Sequence, residues 1–211
     1  MHGRPQSIAE EVVNTVTHGA GVVLALAGLW SLWAAADGDP LRSVAGSVYG
    51  SSVAAQFLAS AAYHAAPWAR AKRWLMAIDH AAIFVLIAGT WTPFAAVSLG
   101  GVPGAVVLAA VWGVALVGAV LETVFLGRWW KLSTALYVVL GWAGLGLAWP
   151  LSSVLPWEAF AWLLGGGVAY TGGVVFFCWE RLRWHHGLWH LCVLAGAACH
   201  FVAVKGFVLP G

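Results

Sequence analysis

Residues 102–125 read Val102-Pro103-Gly104-Ala105-Val106-Val107-Leu108-Ala109-Ala110-Val111-Trp112-Gly113-Val114-Ala115-Leu116-Val117-Gly118-Ala119-Val120-Leu121-Glu122-Thr123-Val124-Phe125. Glu122 is the single charge in the run. At a rise of about 1.5 Å per residue, a helix of this length crosses a hydrocarbon layer roughly 30 Å thick. A bilayer is the solvent such a segment requires.

The same pattern continues on both sides. Apolar runs predict further spans at about 20–36, 44–66, 75–99, 132–151, 157–178 and 187–208. The breaks between them, at 37–40, 67–74, 100–103, 127–131, around Pro156 and at 179–186, are too short to house a domain. The chain has 211 residues, 62% hydrophobic and only 9% charged, against about 25% charged in a soluble domain. The expected fold is all-α, with seven transmembrane helices in residues 20–211. Residues 1–19 form an amino-terminal segment in which Ser7-Ile8-Ala9-Glu10 matches a capping box and Ile8, Val12, Val13 and Val16 share one face of a short interfacial helix.

Charge placement orients the bundle. Arg70, Lys72 and Arg73 occupy the second break, Arg128 and Lys131 the fourth, and Arg181 and Arg183 the sixth, whereas the first, third and fifth breaks hold only Arg42. Positive charge accumulates on the cytoplasmic side, which predicts a cytoplasmic amino terminus and an external carboxyl terminus. The first sixteen residues hold Arg4 as their one strong base beside Glu10 and Glu11, unlike a secretory leader. Tryptophans such as Trp30, Trp68, Trp129 and Trp179 fall near span ends and read as interfacial anchors. Glycines inside the spans read as helix-packing residues, and Cys178, Cys192 and Cys199 as small buried hydrophobes. Nothing here suggests nucleic acid as a partner.

Polar side chains are costly in hydrocarbon, so those that occur there face a protein interior or a wet cavity. His64 near the end of span two, Asp79 about one turn into span three, and His186 and His190 at the start of span seven are expected at similar depth on the cytoplasmic side. Ser60 and His64 are four residues apart, as are His186 and His190, so each pair shares a helix face. Three imidazoles from His64, His186 and His190 leave a tetrahedral zinc one open position for water, as a catalytic site requires. Spacing alone equally allows an ordinary helical His pair, a Ser60 hydroxyl bonded to the Gln56 carbonyl, and Asp79 paired with a loop arginine.

The other histidines rank lower. His185 lacks the four-residue relation to His190, which makes it the weaker candidate ligand or a solvated loop residue. His200 is about 15 Å further along the helix than His190, too deep to share one ion, and reads as a hydrogen-bonded core histidine or a cavity-lining residue. His18, His80 and Glu122 are expected to make interhelical hydrogen bonds.

The string Glu10-Glu11-Val12-Val13-Asn14-Thr15-Val16-Thr17-His18-Gly19, the motif Ser60-Ala61-Ala62-Tyr63-His64, Asp79-His80 heading a span that continues to Thr92-Pro93-Phe94, and His186-Gly187-Leu188-Trp189-His190 resemble the hemolysin III family. That family belongs with the adiponectin and progestin receptor-like (PAQR) membrane proteins. The resemblance covers nearly the whole chain. It implies zinc held by His64, His186 and His190, with Asp79 and Ser60 beside the water on the metal, and a multi-pass protein of the bacterial plasma membrane.

Zinc on three neutral imidazoles lowers the pKa of bound water to about 7, so hydrolysis is the natural reaction. Asp79 would then shuttle the proton and Ser60 steady the oxyanion. The expected partner is a membrane lipid with its scissile bond near the cytoplasmic headgroups, a ceramide-like amide first and an ester second. A lipid sensor with structural zinc is the rival reading, favoured if a fourth protein ligand closes the site. A haemolysin-type membrane-perturbing or pore-forming protein would show a wet amphipathic stripe or a secretion signal, and neither is visible. A haem protein would need axial ligands on facing helices.

Overall fold

The computed structural model describes residues 6–126 and 128–210, with the backbone alone at 145, 147 and 148. Arg4, in the amino-terminal segment, and Gly127, in the fourth break, lie outside the described residues. Among the described residues every regular element is helical: α1 (Ile8–Ala35), α2 (Pro40–Ala65), α3 (Ala69–Pro93), α4 (Gly101–Phe125), α5 (Trp130–Trp142), α6 (Ala148–Leu151), α7 (Trp157–Cys178) and α8 (His185–Ala203). α3 and α8 run on into π-helical stretches, Phe94–Leu99 and Val204–Val208, and a 3₁₀ segment, Ala143–Leu147, joins α5 to α6.

Local chemistry sets the helix ends. The Ser7 hydroxyl accepts from the Glu10 N–H at 3.3 Å while the Glu10 carboxylate accepts from the Ser7 N–H at 2.9 Å, the reciprocal capping box expected from the sequence. Asp39 caps α2 by accepting from the Arg42 N–H at 2.8 Å, with Pro40 in the first turn, where its missing N–H costs nothing. At the end of α3, Pro93 cannot donate a backbone hydrogen bond, and the turns that follow wind as π-helix. Gly100 and Gly101, at φ 62° and 51°, then reverse the chain in a conformation that favours glycine.

The interfacial segment and the first apolar run form one uninterrupted helix. Along α1 the buried positions are Glu10, Asn14, His18, Gly21, Ala25 and Leu32, a stripe at helical spacing. Its first three members are polar, and the opposite face exposes Ile8, Val12, Val16, Val23 and Leu24. The inversion holds throughout: Gln56, Ser60, His64, Asp79, Glu122 and His190 are buried, while Leu116, Val117 and Trp149 face outward. Among the described residues, five helices are long and apolar enough to cross a membrane: Ile8–Ala35, Ala69–Leu99, Gly101–Phe125, Trp157–Cys178 and His185–Val208. α2 falls outside that set because its inward face carries Ser52, Gln56, Ser60 and His64.

The closest packing joins α1 with α2, α2 with α3, and α7 with α8, and α8 closes back on α1. Leu32, Tyr49, Phe57, Leu86, Val193 and Leu209 belong to the main core, and Phe84, Ala88, Val111, Ala115 and Leu140 to a second one centred on α3 and α4. α5 touches α3, α4 and α7 only thinly.

The α2–α3 contact depends on a missing side chain, because a Cβ on Gly89 would overlap the Ser52 side chain. Overpacking of this kind costs about 1–3 kcal/mol. Gly89→Ala is therefore expected to lower the melting temperature in detergent, whereas Gly113→Ala, with open space around the added carbon, is expected to leave it unchanged.

Candidate metal centre

The three histidines singled out by spacing converge at one end of the bundle. His64 belongs to the last turn of α2, and His186 and His190 to the first two turns of α8. The Nε2 atoms of His64 and His186 are 3.2 Å apart, and one ring nitrogen from each of the three lies within 4.8 Å of the others. Two nitrogens at about 2.0–2.1 Å from a tetrahedral zinc are separated by roughly 3.3 Å, so the His64–His186 pair already has the spacing a metal asks for. His190 completes the set, with a ring nitrogen within 4.8 Å of the other two.

The remaining ring nitrogens are held from behind. Glu11 Oε2 lies 2.7 Å from His64 Nδ1, so that nitrogen donates its proton to the carboxylate and Nε2 turns its lone pair to the centre. The other Glu11 oxygen is 2.7 Å from Lys72 Nζ on α3. Thr17 Oγ1 donates to the Val13 carbonyl at 2.9 Å, which leaves the oxygen to accept from His190 Nδ1 at 3.2 Å. Both supports come from α1. Glu10 adds a brace to the same junction: its Oε1 accepts the Trp184 N–H at 3.2 Å, at the left-handed residue before α8.

Asp79 is outside the histidine cluster but shares the adjacent cavity with Ser60, His186 and His190. Gln56 Nε2 donates to Asp79 Oδ1 at 2.9 Å, so the partner of the carboxylate is a glutamine of α2 and not a loop arginine. The expected link from the buried Ser60 hydroxyl to the Gln56 carbonyl is not formed. The cavity, about 630 Å³, is walled by α1–α3 and α5–α8, and most of its lining beyond these residues is apolar.

His200 Nε2 meets the Leu163 carbonyl at 3.2 Å and also borders the cavity. His80 Nδ1 is 3.9 Å from the buried Glu122, linking α3 to α4. His185 departs from the sequence reading. It is buried as the first residue of α8, with Nδ1 3.1 Å from the Phe176 carbonyl, because the tight α7–α8 turn folds it against the end of α7. It is not a solvated loop residue. His18, on α1, stacks its ring on that of His190 with centroids 3.5 Å apart.

The supporting roles of Glu11, Thr17 and Gln56 escaped the sequence reading. A signal was present for Gln56, which shares the face of α2 that carries Ser60 and His64. Glu11 and Thr17 sit inside the string that carries the family resemblance, but no spacing rule connects helix one to helices two and eight.

A helical bundle with an apolar exterior and an internal histidine cluster defines a multi-pass integral membrane protein. The family model described as haemolysin-III related matches residues 6–201, and the chain belongs to that family. Hemolysin-3 of Bacillus cereus is 38% identical over 207 residues, 97% of this chain and 94% of that protein. The Hemolysin-3 homolog of Bacillus subtilis (strain 168) is 38% identical over 200 residues, 94% of each chain. Monocyte to macrophage differentiation factor of Homo sapiens is 24% identical over 203 residues, 92% of this chain and 83% of that one.

Carboxylates that orient a ligating histidine typically contribute about 10–100-fold to metal affinity. Glu11→Gln is expected to weaken metal retention by that factor in a chelator competition, with Glu11→Asp intermediate.

Proposed function

We propose that the chain crosses the bilayer seven times, with its amino terminus in the cytoplasm and its carboxyl terminus outside, and hydrolyses a lipid amide or ester at the cytoplasmic leaflet with zinc on His64, His186 and His190. Two rods add to the five long apolar helices. These are α2, whose polar face is buried against its neighbours, and residues 130–151, where the 3₁₀ segment breaks one rod into two helical pieces. Arg70, Lys72, Arg73, Lys131, Arg181 and Arg183 flank the end that holds the histidines, which supports placing that end in the cytoplasm.

The observation that carries the reading is the opening of the histidine cluster onto a 630 Å³ cavity with Asp79 and Ser60 in its wall. When bound, zinc would supply a Lewis-acidic positive centre with one open position at which water is acidified. Asp79, with Oδ1 fixed by Gln56, keeps its other oxygen to accept a proton from water and deliver it to the leaving nitrogen or oxygen. The Ser60 hydroxyl, in the same cavity wall as Asp79, donates to the oxyanion that develops at the substrate carbonyl. The apolar walls hold the acyl chain and exclude bulk water. A sensor with closed, structural zinc is less well supported, because Asp79 is engaged by Gln56 and stands outside the ligand cluster.

The test begins with elemental analysis of protein purified in detergent without chelator. About one zinc per chain is expected, lost in His186→Ala and His190→Ala. Wild type should release fatty acid from a ceramide panel, and Asp79→Asn should retain zinc while turnover falls about 10²–10⁴-fold. Zinc without turnover would favour the sensor, and absence of zinc would overturn the site.

A further inference from the structure

Two titratable side chains inside the bundle, His80 on α3 and Glu122 on α4, take no part in the chemistry described so far. Glu122 is 3% exposed and is the one charged residue of an otherwise apolar helix. A carboxylate inside a membrane span is costly, so it calls for a function and a partner. The partner is His80, whose Nδ1 lies 3.9 Å from Glu122 Oε2. Ser133 on α5 borders the same carboxylate.

A tie between α3 and α4 does not by itself require these groups. The two helices already pack through Phe84, Ala88, Val111 and Ala115, and an amide could bridge them without a buried charge. The position of the His80 ring points elsewhere, because it borders the cavity that holds Asp79, Ser60, His186 and His190. Its ring neighbour Phe177, at 6.5 Å between centroids, is 6.0 Å from the ring of His186. Residue 80 is also fixed from α5, where the Tyr137 hydroxyl donates to the His80 carbonyl at 3.0 Å. An imidazole held at both side chain and backbone, backed by a carboxylate and bordering a cavity, has the form of a proton-transfer group. The carboxylate favours the imidazolium, which is the form able to give a proton away.

We propose that His80, backed by Glu122, is the general acid that protonates the leaving group of the substrate, while Asp79 acts as the base on water. The inference rests on the hydrolysis proposed above and divides its proton traffic between two neighbours in the chain, His80 taking the delivery step from Asp79. Consecutive helical residues project about 100° apart. Asp79 accordingly meets Gln56 on the α2 side of α3 and His80 meets Glu122 on the α4 side, with the cavity touching both. Water loses one proton to Asp79 as its oxygen bonds the carbonyl carbon. The bond from that carbon to the leaving nitrogen or oxygen then breaks, the electron pair stays with the leaving atom, and the His80 imidazolium supplies the proton that atom needs. The product acid keeps the second proton of water, and transfer of the Asp79 proton to the neutral His80 imidazole restores both groups.

The experiment compares two substrates with the same acyl chain on detergent-purified protein: an N-acyl ethanolamine, whose amine leaves only with a proton, and a p-nitrophenyl ester, whose phenolate leaves unaided. Zinc content and melting temperature are measured on the same samples. In His80→Gln, amide turnover is expected to fall about 10²–10⁴-fold and ester turnover about tenfold or less, with zinc as in wild type. Glu122→Gln should show the same bias to a smaller degree, and Glu122→Asp should recover part of the amide turnover. Nitrogen NMR of histidine-labelled protein, with the His80 signals identified by their loss in His80→Gln, should show both ring nitrogens protonated at neutral pH in wild type and one in Glu122→Gln. Equal losses on the two substrates, undiminished amide turnover, loss of zinc in His80→Gln, or a singly protonated His80 in wild type would overturn the proposal. Turnover of the ester alone by wild type would also overturn it and leave hydrolysis standing, whereas turnover of neither substrate would overturn both.

Discussion

The Glu11 carboxylate, shared between His64 on α2 and Lys72 on α3, is the interaction on which the polar end of the bundle depends. One oxygen sets the direction in which His64 presents its free nitrogen. The other ties the same carboxylate to a cation at the start of the next helix. With no water in hydrocarbon to satisfy stray donors and acceptors, polar side chains must answer one another within the protein. This forces Glu10, Thr17 and Gln56 into the same network and draws α1 into the junction between α2 and α8.

Most of the helical architecture was legible in the sequence because an apolar run states its own solvent. The capping box at Ser7, the break at Asp39-Pro40 and the reversal at Gly100-Gly101 are local chemistry and appear where local chemistry places them. The histidine cluster was legible in part. Four-residue spacing put His186 and His190 on one face, but that His64 meets them is a fact of packing. His185 shows the limit from the other direction. It looked like a loop residue because its neighbours are charged, and only the tightness of the turn buries it. The supports from α1 were illegible for a plainer reason: Thr17 and His190 are 173 positions apart, beyond the reach of any periodicity.

The bundle is uneven. Close packing joins α1, α2 and α3, and α8 to α7 and α1, whereas α5 rests lightly on its neighbours and gives way to a 3₁₀ segment. The helices that carry the histidines and their supports therefore belong to the firm part of the molecule, while the cavity borders the loose part. The histidine cluster thus sits on closely packed helices beside a cavity wall whose contacts are sparser.

Contacts between the first helix and the last have a consequence for biogenesis. Glu10 bonds Trp184 across 174 positions, and Thr17 and His18 complete the surroundings of His190. While the ribosome is still producing the middle of the chain, Glu10 Oε1, Thr17 and His18 await their partners at the start of α8, and two of the three clustered histidines do not yet exist. The centre closes only when the last helix has inserted and found the first. Ion capture would thus mark completed assembly, and a chain truncated before α8 would present an unmet polar stripe to the machinery that removes unassembled membrane proteins.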